Sequence, residues 1–281
     1  MSVVTVSSGP IEYEDTGGPG PVIVLCHGVP MDSRCWRKVV PLLSEHRVVT
    51  PTLPMGGHRR AQRPDADLSQ PGMAVILADF LEALDLRDVT LVLNDWGGGQ
   101  FLISSDRTER VGRLVLAACE AFDNFPPGPV KPLSAVGKRV PAILWVMLQS
   151  MRIRPIRRMR NGYGGMSVVG IPDDLLSDWF RPARDDRQIR RDFVKFFVGT
   201  PPEPELHALQ ARWPEFTRPV LVVWAAQDRL MPAAHGPRLA QWYPNARLEI
   251  VQDSSTLLGE DQPERCAALI ADFASEPRRG P

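Results

Sequence analysis

The sequence predicts an α/β protein: a mostly parallel, eight-stranded sheet covered by helices on both faces and interrupted by one long helical insertion. Three observations carry this. First, the apolar runs in "PVIVLCHG" (21–28), "DVTLVLND" (88–95) and "VGRLVLAACE" (111–120) are continuous rather than alternating, as in strands buried on both faces. Second, helical spacing separates them. In "MAVILADFLEALDL" (73–86), Val75, Leu77, Ala78, Leu81 and Leu84 can share one face. Third, strand-like runs stop after 121 and resume at "RPVLVVWAAQD" (218–228).

Taken in order, "VVTVSS" (3–8) and "IEYED" (11–15) read as two short strands around Gly9-Pro10. Strands follow at 21–28, 46–54, 88–95 and 111–120, with the helix at 73–86 between the runs 46–54 and 88–95. Residues 122–213 hold helical segments, tryptophans, arginine-rich turns and many prolines. The segment "RDDRQIRRDFVKFFVG" (184–199) reads as one helix with a charged and an apolar face. After 218–228 come a helix near 233–242, a strand at 246–253 and a closing helix at 263–274 with Pro263 near its start. The expected organisation is a discontinuous core, 1–121 with 214–281, carrying a helical cap at 122–213.

Composition narrows the function. Lysine plus arginine equals aspartate plus glutamate at 33 each among 281 residues, which gives no electrostatic footprint for nucleic acid or an anionic membrane. The longest apolar candidate, "AILWVML" (142–148), is far too short to span a bilayer. The opening "MSVVTVSSGP" has neither a basic run nor an apolar core, which argues against a secretory signal. Cys26, Cys35, Cys119 and Cys266 lack metal-site or disulfide-framework spacing. A cytoplasmic protein with reduced thiols, no metal and no cofactor is expected. The run Gly97-Gly98-Gly99 lacks the spacing of a dinucleotide fingerprint.

The chemistry concentrates in "LVLNDWGGGQ" (91–100). A buried strand ends in Asn94-Asp95, and three glycines give room for a sharp turn into a helix. Ligands of open parallel sheets bind outside the carboxyl ends of the strands, so a carboxylate on such a turn is lifted toward substrate. The following helix N-terminus would stabilise a carboxylate. An alternative is Asp95 as a plain helix N-cap. His27-Gly28 ends another strand and can reach the same edge. The backbone N–H of Trp96 and one near Val29 could form an oxyanion pocket, and the Trp96 indole could hold a leaving group. His27 itself reads as structural.

"LCHGVPMDSRCWRKVVPLL", "LVLNDWGGGQ" and "RVGRLVLAACEAFDNFPP" resemble the α/β-hydrolase fold, and within it the haloalkane dehalogenase and epoxide hydrolase branch. The resemblance covers the whole chain. Residues 27–30 match the branch's His-Gly-x-Pro, and Asp95-Trp96-Gly97 match its nucleophile motif, with Asn94 in place of a histidine. It implies attack by Asp95 on an alkyl carbon, then water cleaving the resulting ester with a histidine as base. The acid that orients such a histidine is implied at Asp228 or at Glu120. In the last loop, "QDSSTLLGEDQPE" (252–264), Thr256 falls where that histidine belongs, and a hydroxyl is no base near neutral pH.

His46, at the amino end of a strand, lies at the wrong sheet edge. His207 falls in the last cap segment, and His235 is expected to be exposed. His58, in "LPMGGHRRAQRP" (53–64), is the best remaining choice. Tyr163 is the cap tyrosine available as a donor, and Trp145 and Trp179 are candidate pocket walls. Three functions stay open: a hydrolase using Asp95 on a small or medium apolar haloalkane, epoxide or ester with an atypical second step; a cyclase, lyase or isomerase with Asp95 as acid or base; and a silent ligand-binding relative. The partner expected is an apolar small molecule, with the chain a monomer or homodimer.

Overall fold

The computed structural model describes residues 1–277. Its eight strands are β1 (Ser2–Val6), β2 (Gly9–Asp15), β3 (Val22–Cys26), β4 (Arg47–Thr52), β5 (Val89–Asp95), β6 (Val111–Cys119), β7 (Val220–Ala225) and β8 (Ala246–Val251). They lie in the order β1-β2-β4-β3-β5-β6-β7-β8. β1 and β2 run antiparallel, as do β2 and β4, and every later pair is parallel. β5 is buried along its whole length, between β3 and β6. An unbroken apolar run survives only in such a central place, where both faces are covered. β8, at the edge, keeps partly exposed positions.

The helices are α1 (Gln70–Ala83), α2 (Phe101–Ser104), α3 (Lys131–Arg139), α4 (Ala142–Ser150), α5 (Arg154–Arg157), α6 (Asp173–Asp185), α7 (Arg187–Phe197), α8 (Glu203–Ala211), α9 (His235–Trp242), α10 (Leu258–Asp261) and α11 (Pro263–Ser275). α1 begins earlier than its apolar spacing suggests, because the Ser69 hydroxyl accepts from the Gly72 N–H and Pro71 fits the first turn. The run 184–199 is not one helix. Asp186 leaves helical geometry at φ −99° and ψ 129°, and its carboxylate accepts from the Gln188 and Ile189 N–H groups to start α7. α3 to α8 all fall between β6 and β7, and residues 122–213 contain no strand. The four cysteines are free and buried. Among the described residues no helix is long and apolar enough to cross a membrane.

Candidate active site

Asp95 ends β5 at φ 62°, in the left-handed region that an aspartate tolerates at modest cost. The β5–β6 register shifts there: Asn94 pairs with Ala117 but Asp95 with Cys119, so Ala118 is passed over at φ 37°. Neighbouring strand ends therefore both leave regular geometry at one edge of the sheet. The glycines around them are required by contact. A Cβ on Gly28 would stand 1.8 Å from Asp95 Oδ2, and one on Gly97 would stand 1.9 Å from the Glu120 carbonyl oxygen. The turn leads into a short 3₁₀ segment, Gly98–Gln100, before the four residues of α2. Gly97 begins that segment without a side-chain cap, so Asp95 is not an N-cap. Among the described residues the backbone donor to its carboxylate is the Val29 N–H, not an N–H of the turn that follows it. Burial pushes the Asp95 carboxyl up to about 7, the Val29 N–H opposes this, and the Asp228 charge adds to it.

Val29 N–H donates to Asp95 Oδ2 at 3.1 Å, the donor expected near that residue. Trp96 departs from expectation. Its backbone N–H lies 2.7 Å from the Asn94 carbonyl, and its indole donates to Gln70 Oε1 at 2.6 Å. Both hydrogens are therefore engaged, although the ring lines the cavity above Asp95. That cavity holds about 90 Å³ and is also lined by Glu120, Gln70, Tyr163, Met166, Phe196 and Phe197. Glu120 stands at the end of β6, and its N–H donates to the Asp95 carbonyl at 3.0 Å. Burial, with the Asp95 charge beside it, holds its carboxyl well above the usual carboxylate range.

Asp228 follows β7. Its Oδ1 accepts from Leu230 N–H at 2.8 Å, Met231 N–H at 2.9 Å and the Thr256 hydroxyl at 2.9 Å. Among the described residues its Oδ2 is buried without a partner, and burial raises its proton affinity. Thr256 thus contacts the Asp228 carboxylate while its carbonyl accepts from Asn94 Nδ2 at 2.7 Å. Asn94 also donates to the Ala117 carbonyl at 2.7 Å, so its amide ties the β5 tip to β6 and to the last loop. Neither Asn94 nor Thr256 lines the cavity.

None of the five histidines lines the cavity. His27 Nδ1 bonds the Gly28 carbonyl at 2.7 Å, and its Nε2 accepts from Leu53 N–H at 2.9 Å. Burial lowers its pKa to about 4, so it stays a neutral structural ring. His58 is not beside Asp95. Gly56 N–H donates to its Nδ1, and its Nε2 faces Asp192 Oδ2 at 3.3 Å on α7. His235 is buried rather than exposed, against Phe122 and Asp123. His46 bonds Ser275, and His207 is exposed on α8.

The proposed walls divide likewise. Tyr163 lines the cavity, but its hydroxyl donates to the Val29 carbonyl at 2.9 Å. Trp179 is buried with its indole donating to Asp32 Oδ1 at 3.1 Å, outside the cavity. Trp145 is 48% exposed and forms no wall. Gln70, Phe196 and Met166 also line the cavity, and nothing in their local sequence marks them. They come from elements remote in sequence, and no local pattern reports which helix end covers a strand tip.

Residues 23–269 match the profile of the Alpha/beta hydrolase family. Haloalkane dehalogenase 1 of Mycobacterium tuberculosis (strain ATCC 25618 / H37Rv) is 30% identical over 259 residues, covering 85% of this chain and 82% of that one. The 2-hydroxy-6-oxononadienedioate/2-hydroxy-6-oxononatrienedioate hydrolase of Cupriavidus pinatubonensis is 27% identical, over 96% of this chain and 93% of that one. A single-residue variant of the haloalkane dehalogenase DatA from Agrobacterium tumefaciens shares the fold, with a TM-score of 0.77 at 20% identity over 98% of this chain and 96% of that one. With its eight-stranded sheet and these matches, the chain belongs to the alpha/beta hydrolase family.

Proposed function

We propose that this hydrolase uses Asp95 as a nucleophile on a small apolar haloalkane, epoxide or ester, and completes the reaction without a histidine. The observation that carries the reading is the Asp95 carboxyl itself. It stands on a strained strand end, in a largely apolar cavity, with one oxygen held by the Val29 N–H. The other oxygen attacks carbon. Oδ2 then becomes the carbonyl oxygen of the ester, and the Val29 N–H is already placed to stabilise the oxyanion when water adds. Space of about 90 Å³ favours substrates of a few heavy atoms. The helices of 122–213 act as the cap, since Tyr163, Phe196 and Phe197 close the cavity from that segment. Similarity to a haloalkane dehalogenase and to a 2-hydroxy-6-oxononadienedioate/2-hydroxy-6-oxononatrienedioate hydrolase supports hydrolysis of a small organic molecule but does not choose among leaving groups.

The test is intact-protein mass after incubation with small haloalkanes, epoxides and activated esters. Either a covalent adduct mapping to Asp95 or turnover that Asp95→Asn abolishes is the expected result. A second reading draws on the carboxyl's value of about 7, which suits a general base near neutral pH. Under it Asp95 moves a proton in a non-hydrolytic rearrangement, and no substrate in the panel labels it.

A further inference from the structure

Glu120 and Asp95 face one cavity from adjacent strands. The register slip that passes over Ala118 sets them side by side, and the Glu120 N–H fastens the two strand ends at 3.0 Å. Glu120 is 6% exposed, and among the described residues no cation pairs with it or with Asp95. Two carboxyls in such a space do not both ionise, so one keeps its proton. Asp95 ionises first, helped by the Val29 N–H. Its charge and burial keep Glu120 neutral.

The other proton-transfer candidates are committed or out of reach. The Tyr163 hydroxyl donates to the Val29 carbonyl, and the Trp96 indole donates to Gln70. Asp228 has three donors on Oδ1, its Oδ2 is enclosed, and it does not line the cavity. Gln70 and Asn161 line the cavity, but their amides donate hydrogen bonds without transferring a proton.

We propose that Glu120 carries out the proton transfers of both half-reactions, on a substrate whose leaving group is an oxygen, such as a small epoxide. The proposal rests on Asp95 being the nucleophile. In the first half, an Asp95 oxygen bonds to a ring carbon and the ring C–O bond breaks. Its electron pair stays on oxygen, which takes the Glu120 proton. In the second half, the Glu120 carboxylate removes a proton from water as the water oxygen bonds to Cγ of Asp95. The oxyanion collapses, the Cγ–O bond to the alkyl group breaks, the departing alkoxide takes the proton back from Glu120, and the carboxylic acid left on Asp95 hands its water-derived proton to the Glu120 carboxylate. The sum is epoxide plus water giving a vicinal diol, with both carboxyls restored. A halide needs no proton to leave; once the ester has removed the Asp95 charge, Glu120 gives its proton to solvent and serves only the second half, the sum being bromide, alcohol and one released proton.

That asymmetry gives the test, run on the full chain with 1,2-epoxybutane and 1-bromobutane. Diol formation and intact mass are followed for wild type, Glu120→Gln, Glu120→Asp and Asp95→Asn. Expected are diol from wild type, and a fall of about 100-fold or more in epoxide turnover for Glu120→Gln. The same variant should still be alkylated by 1-bromobutane and stall as an Asp95 butyl ester. Glu120→Asp should recover part of the epoxide activity, which a purely packing role for the side chain would not produce. Epoxide turnover by Glu120→Gln within about threefold of wild type overturns the proposal, where general acid–base catalysis is worth far more. So does a stalled ester in Asp228→Asn but not in Glu120→Gln. Diol formation that survives Asp95→Asn instead overturns the nucleophile reading itself, as does wild type giving neither diol nor adduct, and the role of Glu120 falls with it.

Discussion

Asp95 carries its consequences in its proton affinity. The unfolded carboxyl titrates near 3.8 and the folded one near 7, so the native state binds the proton more tightly. Stability therefore declines as pH rises from about 3.8 to about 7, and levels off above that. The gap bounds the penalty at about 4 kcal/mol. Asp95→Asn keeps the shape without the charge. It should unfold at higher denaturant than wild type at pH 8, with the advantage shrinking steadily toward pH 5. Urea melts of both proteins across that range measure it. Parallel curves would show that the buried charge at this position has no cost, and would remove the physical basis for a tuned nucleophile.

At the scale of elements, the tip of β5 is where local sequence says most. An apolar run that breaks into Asn-Asp-Trp and three glycines announces a turn too crowded for side chains, and the structure supplies the collisions that explain it. Gly28 is the sharper case because it sits in the loop after another strand, β3. Its hydrogen faces Asp95 Oδ2, so Gly28→Ala must displace the carboxylate or the loop that carries the Val29 N–H. Loss of Asp95 reactivity by about 100-fold or more is expected, set against the typical worth of one oxyanion donor, with a modest loss of stability. Adduct formation rate against melting temperature separates the two effects. What local sequence could not reveal is equally physical. Trp96 announces an indole donor, but its acceptor is Gln70, 26 positions away on the first turn of α1. Asp228 announces a turn and an acid, yet its inward oxygen is sealed and the cavity belongs to Glu120. Periodicity tells which face is buried, not which neighbour buries it.

Across the whole molecule, the helices of 122–213 meet the sheet through a buried polar seam, and two residues that read as site candidates belong to it. His58 and the Gln62 N–H both meet Asp192 Oδ2 on α7, at 3.3 Å and 2.8 Å, while Arg191 holds Oδ1. Beside them, Trp179 on α6 donates to Asp32, which also binds Arg34. A histidine in a glycine-rich loop and a tryptophan in a helix look alike in sequence whether they touch substrate or another element, so their role became visible only with the packing. Asp192 is completely buried, and its partners hold its pKa below 3.8, so it stabilises the fold above that pH and the contribution is lost as pH falls through the lower, folded value. Removing it leaves the His58 ring and the Gln62 N–H without an acceptor in the seam. Asp192→Ala should therefore cost about 2 kcal/mol or more, the usual penalty for leaving buried polar groups unpaired. The same helix brings Phe196 and Phe197 to the cavity, so loosening its seat should raise KM more than it lowers kcat, because the wall shifts while Asp95 and Glu120 stay on the sheet. Urea unfolding and steady-state kinetics on one preparation read both. A fall in kcat with KM unchanged would place the seam's influence on the carboxyls rather than on the wall.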